Sequence, residues 1–274
     1  MIAAESRAMA GSPVAEILRS NSWAIWTGIL HAVLFVSLLV LSLIDHRTVD
    51  GVDNWYKPMK FALSISIFAF TLPFLTRPLM SLKGVPGWRS PLVLSRIICL
   101  MLWGEMILIT FQAARGVRSH FNIESALGGA IYSAMGLMIL ISTIATALLV
   151  LPYFRRAAEL DPGPSIIQGI RFGSALFLMG SLAGGIMSSM LTHSVGDPGM
   201  HRIPFLGWST TAGDIRAVHF FGLHAIQILP LIGWLGQDRS WSPGWISGFN
   251  WFYSAVFLGI TVLTGAGLSV VYWM

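Results

Sequence analysis

Few residues in this chain are equipped for chemistry, and most of them lie inside or beside apolar runs. The stretch GDIRAVHFFGLHAIQ, residues 213–227, sets Asp214, Arg216, His219, His224 and Gln227 along one prospective helix. A second stretch, WYKPMKF at 55–61, holds Lys57 and Lys60, two of the three lysines in the protein. His31 and Glu105 stand deep in apolar runs of their own, while Gln112, Arg115, His120 and His193 come near the ends of others. Imidazoles exchange protons near neutral pH and ligate metals or haem iron. A carboxylate in apolar surroundings needs a partner or a proton. Lysines and arginines bind anions.

Spacing limits what these groups can do together. His219 and His224 are five residues apart, about 140° around a helix, so they cannot hold one metal as an i, i+4 pair does. Arg216 and His219 share a face; His224 and Gln227 share another. Glu105, Gln112 and Arg115 follow one another at spacings of seven and three, a polar stripe along a single helix. By helical rise, Glu105 and His224 sit on the order of 10–14 Å below one boundary, with His31 somewhat deeper. Glu105 is therefore expected to pair with His224 or with Arg115. Lys57 and Lys60 flank Pro58 and are placed to converge on an anion at the interface, or to snorkel beside Trp55 and Tyr56. Asp214 is expected to cap its helix. For His31, Glu105 and His224 the plain alternative to a functional role is an interhelical hydrogen bond that fixes packing.

Each familiar membrane chemistry can be tested on this set. A retinal Schiff base needs a buried lysine in the last span, and residues 249–274 contain none. Zinc needs about three ligands; His120, His193 and His219, with Asp214, supply them only weakly. Haem b needs axial histidines, for which His31 and His224 are the candidates. A quinone or lipid headgroup needs donors under an amphipathic entrance, which His219, Gln112 and Arg115 provide. A transporter of the broken-helix kind places polar groups around discontinuous helices; Pro73 and Pro230 occupy spans two and six, which correspond in a three-plus-one-plus-three arrangement.

The elements that must position these groups follow from composition. The chain has 274 residues, is 55% hydrophobic and 11% charged, and has a mean hydropathy of +0.72. Soluble domains carry roughly 25% charged residues, so apolar runs of this length belong to lipid. The net charge of +5 is spread over 17 basic residues that flank the runs, which fits anionic lipid headgroups and excludes a nucleic-acid surface. The lone Cys99 allows no disulfide framework and no thiolate cluster.

Seven spans are expected, at about 23–44, 59–75, 92–114, 130–153, 169–194, 217–236 and 249–274. The first is too long for a signal-peptide core and is read as an uncleaved membrane helix. Residues 1–22 read as a short tail or surface helix, and 23–274 as a single transmembrane domain. Tryptophans gather near the span ends, Trp103 excepted, as an interfacial belt requires. Ten basic residues on one side (Arg7, Arg19, Arg77, Lys83, Arg89, Arg96, Arg155, Arg156, Arg171 and Arg239) face seven on the other. This bias puts the N-terminus in the cytoplasm and the C-terminus outside.

The expected molecule is thus an all-α, multi-pass protein of a bacterial inner membrane, with a polar, histidine-containing cavity open to the outer face. Its leading expected function is redox or cofactor binding with haem or quinone. The second is transport or sensing of a small anionic or amphipathic ligand, and the third is metal-dependent lipid hydrolysis. Membrane lipids and a small ligand or quinone are the partners this implies.

Overall fold

The computed structural model describes residues 13–271; the expectations for residues 1–12, with Arg7, and for Trp273 lie outside the described residues. A short helix α1 (Pro13–Arg19) precedes seven helices that are long and apolar enough to cross a membrane. These are α2 (Ser22–Ser42), α3 (Tyr56–Thr76), α4 (Pro91–Ala114), α5 (Ala126–Arg155), α6 (Pro164–Met190), α7 (Ile215–Asp238) and α8 (Pro243–Gly265). The protein is a multi-pass, all-α membrane protein. Large apolar side chains such as Leu30, Ile107, Leu182 and Leu258 stand exposed along the spans, where lipid rather than water suits them.

Local chemistry sets the helix ends. Asn21, Ser125, Asp214 and Ser242 accept backbone N–H bonds as N-caps of α2, α5, α7 and α8. Pro91, Pro164 and Pro243 open α4, α6 and α8, where proline's missing N–H costs nothing. The expected seventh span, 249–274, differs most. α8 starts earlier, at Pro243 behind the Ser242 cap, and stops at Gly265, with Gly267 at φ +75° ending the run. Pro73 and Pro230 lie inside continuous helices, so the broken-helix geometry of a transporter is not formed. Two tryptophans assigned to the interfacial belt are structural instead. Trp55 is buried and donates its indole N–H to Asp45, and Trp208 is buried against Phe220 and Phe221.

Two short antiparallel ladders lie at the same end of the bundle. β1 (Thr48–Val49) pairs β2 (Val52–Asp53) just before α3, and β3 (Ser194–Val195) pairs β4 (Gly213–Asp214) just before α7. We call this the hairpin end. The helices between them form two like triplets. Within α2–α4 the first two helices pack most closely, and within α6–α8 the same holds for α6 and α7. Glycines make the second contact intimate: a Cβ on Gly222 would meet the Gly180 Cα at 2.5 Å, and one on Gly173 would meet the Ala225 carbonyl at 2.6 Å. α5 lies between the triplets in sequence and packs on α4 and α6. The seam between triplets is apolar away from the hairpin end, where Phe68 stacks on Phe177 at 5.8 Å. Toward the hairpin end it becomes polar.

Candidate functional site

The polar half of the seam is assembled from five parts of the chain. α3 contributes Lys57, Lys60 and Ser64, and α4 contributes Glu105. The loop after α4 brings His120, α7 brings Arg216, His219, His224 and Gln227, and the 191–214 segment lies over them.

Glu105 is 2% exposed, about two and a half turns from the end of α4. Its neighbours are neither of those expected. Arg115 sits at the C-cap of α4 and donates to Gln112 Oε1 at 2.7 Å, while Gln112 donates to the Arg118 carbonyl. Gln112 and Arg115 therefore fasten the end of their own helix rather than extend a polar stripe to Glu105. His224 is engaged elsewhere. The carboxylate instead has His120 Nε2 at 3.9 Å, a charge contact beyond hydrogen-bond length. Lys57 is the cation whose charge acts on Glu105. His120 is held well below the usual histidine value by burial, and further by the charges of Lys57 and His219, so it is neutral at pH 7. Ser119 Oγ lies 3.2 Å from His120 Nδ1, and Phe61 and Tyr132 flank the ring.

His219 faces α6. Its Nδ1–H donates to the Gly180 carbonyl at 2.8 Å, which fixes Nε2 as the basic nitrogen. Gly184 leaves room for the ring, since a Cβ there would come within 2.9 Å of His219 Cε1. His224 points to the other face of α7, as the five-residue spacing requires. Its Nδ1–H donates to Gln227 Oε1, and the Ser64 hydroxyl on α3 donates to Nε2 at 3.3 Å. Phe220 covers the ring at 4.4 Å. His224 and Gln227 are only partly buried, and Leu63, Ile67, Phe220 and Leu231 on the same two helices are exposed. The Ser64–His224–Gln227 group thus lies at a lipid-facing seam.

Asp214 caps α7 as expected and does more. It binds Arg216 through two oxygens, at 2.9 and 2.6 Å, and accepts from Ser209 N. Burial acts to raise its carboxyl, but the Arg216 guanidinium outweighs that and holds it below the ordinary value. Arg216 is thereby paired, and its Nη2 also donates to the Gly207 carbonyl. His193 stands 4.0 Å from Asp214 and is lowered to about 4, by burial first and then by the Arg216 charge. Lys60 donates to the carbonyls of Phe205 and Leu206 at 2.9 and 3.1 Å. The two lysines lie near enough for their charges to act on one another, with Glu105 the opposing charge at Lys57 and Lys60 bonded to the loop carbonyls. Residues 205–207 lie over these cations, their carbonyls accepting from Lys60 and Arg216.

Two expected ligand sets come apart. No group of three or more His, Cys, Asp or Glu is placed to hold a metal ion among the described residues, so His120, His193 and His219 form no zinc site. His31 and His224 do not face one another. Ser66 on α3 donates to the Gly28 carbonyl of α2, and Ser64, about 200° around α3, meets His224. α3 therefore separates the two imidazoles, and no haem bridges them. His31 is instead buried against Trp103 at 4.2 Å, with Nδ1–H on the Thr27 carbonyl and Nε2 without a partner among the described residues.

No family model, curated protein or solved structure matches this chain.

Sequence reasoning missed Ser64, and it missed that the carbonyls of 205–207 would bind two cations. A serine inside an apolar run carries no pattern of its own, and backbone acceptors are invisible in a sequence.

Proposed function

We propose that this protein binds the polar head of an amphipathic membrane ligand of the quinone class, entering from lipid at the α3–α7 seam. The observation that carries the reading is the Ser64–His224–Gln227 group. It is a polar, hydrogen-bonding patch at membrane depth, partly exposed between apolar lipid-facing side chains. A quinone head needs donors for its oxygens and a route for protons when it is reduced. The Gln227 amide supplies a free donor, and the Ser64 hydroxyl becomes a second when it turns from His224 Nε2 to a ligand oxygen. His219 and His120 nearer the hairpin end, and Glu105 at the depth of His224, supply groups that accept and release protons. The haem and zinc readings lose ground because their ligand sets are not assembled, and the broken-helix transporter because α3 and α7 run unbroken.

Organic extraction of the purified protein, followed by chromatographic detection of quinones, tests the reading. The wild type is expected to retain quinone through purification, and His224→Ala and Ser64→Ala to lose most of it while keeping their helical circular dichroism. A wild type that neither co-purifies with quinone nor binds added short-chain ubiquinone removes the proposal.

A further inference from the structure

Lys60 is held by backbone carbonyls of a loop rather than by a side chain. Arg216 is paired with Asp214, and Lys57 is opposed by Glu105. Neither lysine is in a close ion pair among the described residues; the carboxylate whose charge acts on Lys60 is Asp214, already bound to Arg216, and the hydrogen bonds of Lys60 go to two backbone carbonyls. Counted in their ionised forms, Lys57, Lys60 and Arg216 outnumber Glu105 and Asp214 by one. Carbonyls satisfy the donors of an ammonium, but they supply no opposite charge.

Those carbonyls belong to a self-contained turn. Gly207 N bonds back to the Ile203 carbonyl at 2.8 Å and Ile203 N to the Trp208 carbonyl at 2.9 Å, so residues 203–208 hold their own shape. The turn includes Phe205 at φ +62°, a strained value for a residue with a side chain, and Gly207 at φ +74°. Its base is anchored: Ser209 bonds Asp214 and the Pro198 carbonyl, and Trp208 is buried. Its tip is not anchored in this way. Phe205 is 38% exposed, and beyond Lys60 and Arg216 the tip rests on an edge contact between Phe205 and Tyr56.

We propose that the 203–208 turn is a lid over an oxyanion site on Lys60, and that a phosphate group, free or in a lipid headgroup, takes the ammonium from the Phe205 and Leu206 carbonyls. The exchange turns an ion–dipole contact into an ion pair and supplies the ammonium with an opposite charge. It also removes the two bonds that hold the lid tip to α3. The site is distinct from the seam group at His224, and a neutral quinone bound there leaves it intact.

Trypsin reads the lid directly. Arg202 is exposed, and the Arg202–Ile203 bond enters the turn beside the bridge to Ser209. In detergent micelles, cleavage there by trypsin is measured by fragment mass and normalised to cleavage after the exposed Arg239 at the opposite end. Inorganic phosphate or dioleoylphosphatidylglycerol is expected to accelerate the Arg202 cut in the wild type and in Lys83→Gln. Lys60→Gln is expected to cut fast without either and to ignore both. Acceleration by inorganic phosphate assigns the site to a soluble anion, and acceleration by the phospholipid alone assigns it to a headgroup. If neither speeds the cut in the wild type, or if Lys60→Gln responds as the wild type does, the lid is only a structural turn and the proposal fails. Quinone content measured on the same samples is expected to be unchanged by phosphate, which keeps this result separate from the seam reading.

Discussion

A carboxylate with 2% exposure has to answer to whatever charge it can find, and Glu105 finds His120 and Lys57 rather than groups on its own helix. The depth of Glu105 was legible in the sequence; its partners were not. They arrive from a loop and from the start of α3, and no helical spacing encodes either approach. Glu105→Gln and His120→Asn are each expected to lower detergent stability, with a coupling energy of about 0.5–3 kcal/mol in the double-mutant cycle. Additive losses would show the two side chains to be independent. His193 gives a pH signature. It is lowered from 6.5 to about 4, so as pH falls the unfolded chain takes up the proton before the folded one does. Its contribution to stability is complete above 6.5 and is lost as pH falls toward about 4. His193→Asn is expected to flatten the thermal-unfolding midpoint across that window. An unchanged slope would mean that His193 titrates normally.

At the scale of elements, hydropathy located all seven helices, because a run of about 20 apolar residues has no better use than to span. The ends were less legible. Capping by Ser242 and Pro243, and the stop at Gly265, act through single residues that a hydropathy window averages away. The glycines of α6 and α7 were equally silent, since spacing alone does not tell a contact glycine from a free one. The geometry does. A Cβ at position 222 meets the Gly180 backbone at 2.5 Å, whereas one at position 259 meets nothing within 4 Å. Gly222→Ala is therefore expected to cost about 1–3 kcal/mol by overpacking. Gly259→Ala is expected to be neutral or to gain up to about 1 kcal/mol from helix propensity. Unfolding titrations in mixed micelles measure both, and equal effects would show that α6 and α7 separate easily. This pair positions the site as well: Gly180 supplies the carbonyl that orients His219, and Gly184 the space for its ring.

At the scale of the molecule, everything chemical lies toward one end, so the side of the membrane that end faces decides what the site can meet. Among described residues the opposite end carries Arg19, Arg77, Lys83, Arg89, Arg96, Arg155, Arg156, Arg171 and Arg239, nine against the seven of the hairpin end. Three of those seven, Lys57, Lys60 and Arg216, are folded into the cluster, where they serve the site as well as the topology. The bias therefore points the hairpin end outward. Cys99, the lone cysteine, is buried, so single introduced cysteines report cleanly. Met200, 94% exposed at the hairpin end, and Asp161, exposed in the loop between α5 and α6, mark the two sides. A membrane-impermeant maleimide on intact cells is expected to label Met200→Cys, and to label Asp161→Cys only after permeabilisation. The reverse pattern would turn the lid and its Lys60 site toward the cytoplasm, where phosphate esters rather than external anions would reach it. Labelling of both in intact cells would mean that the two loops lie on one side, which an odd number of spans between them forbids.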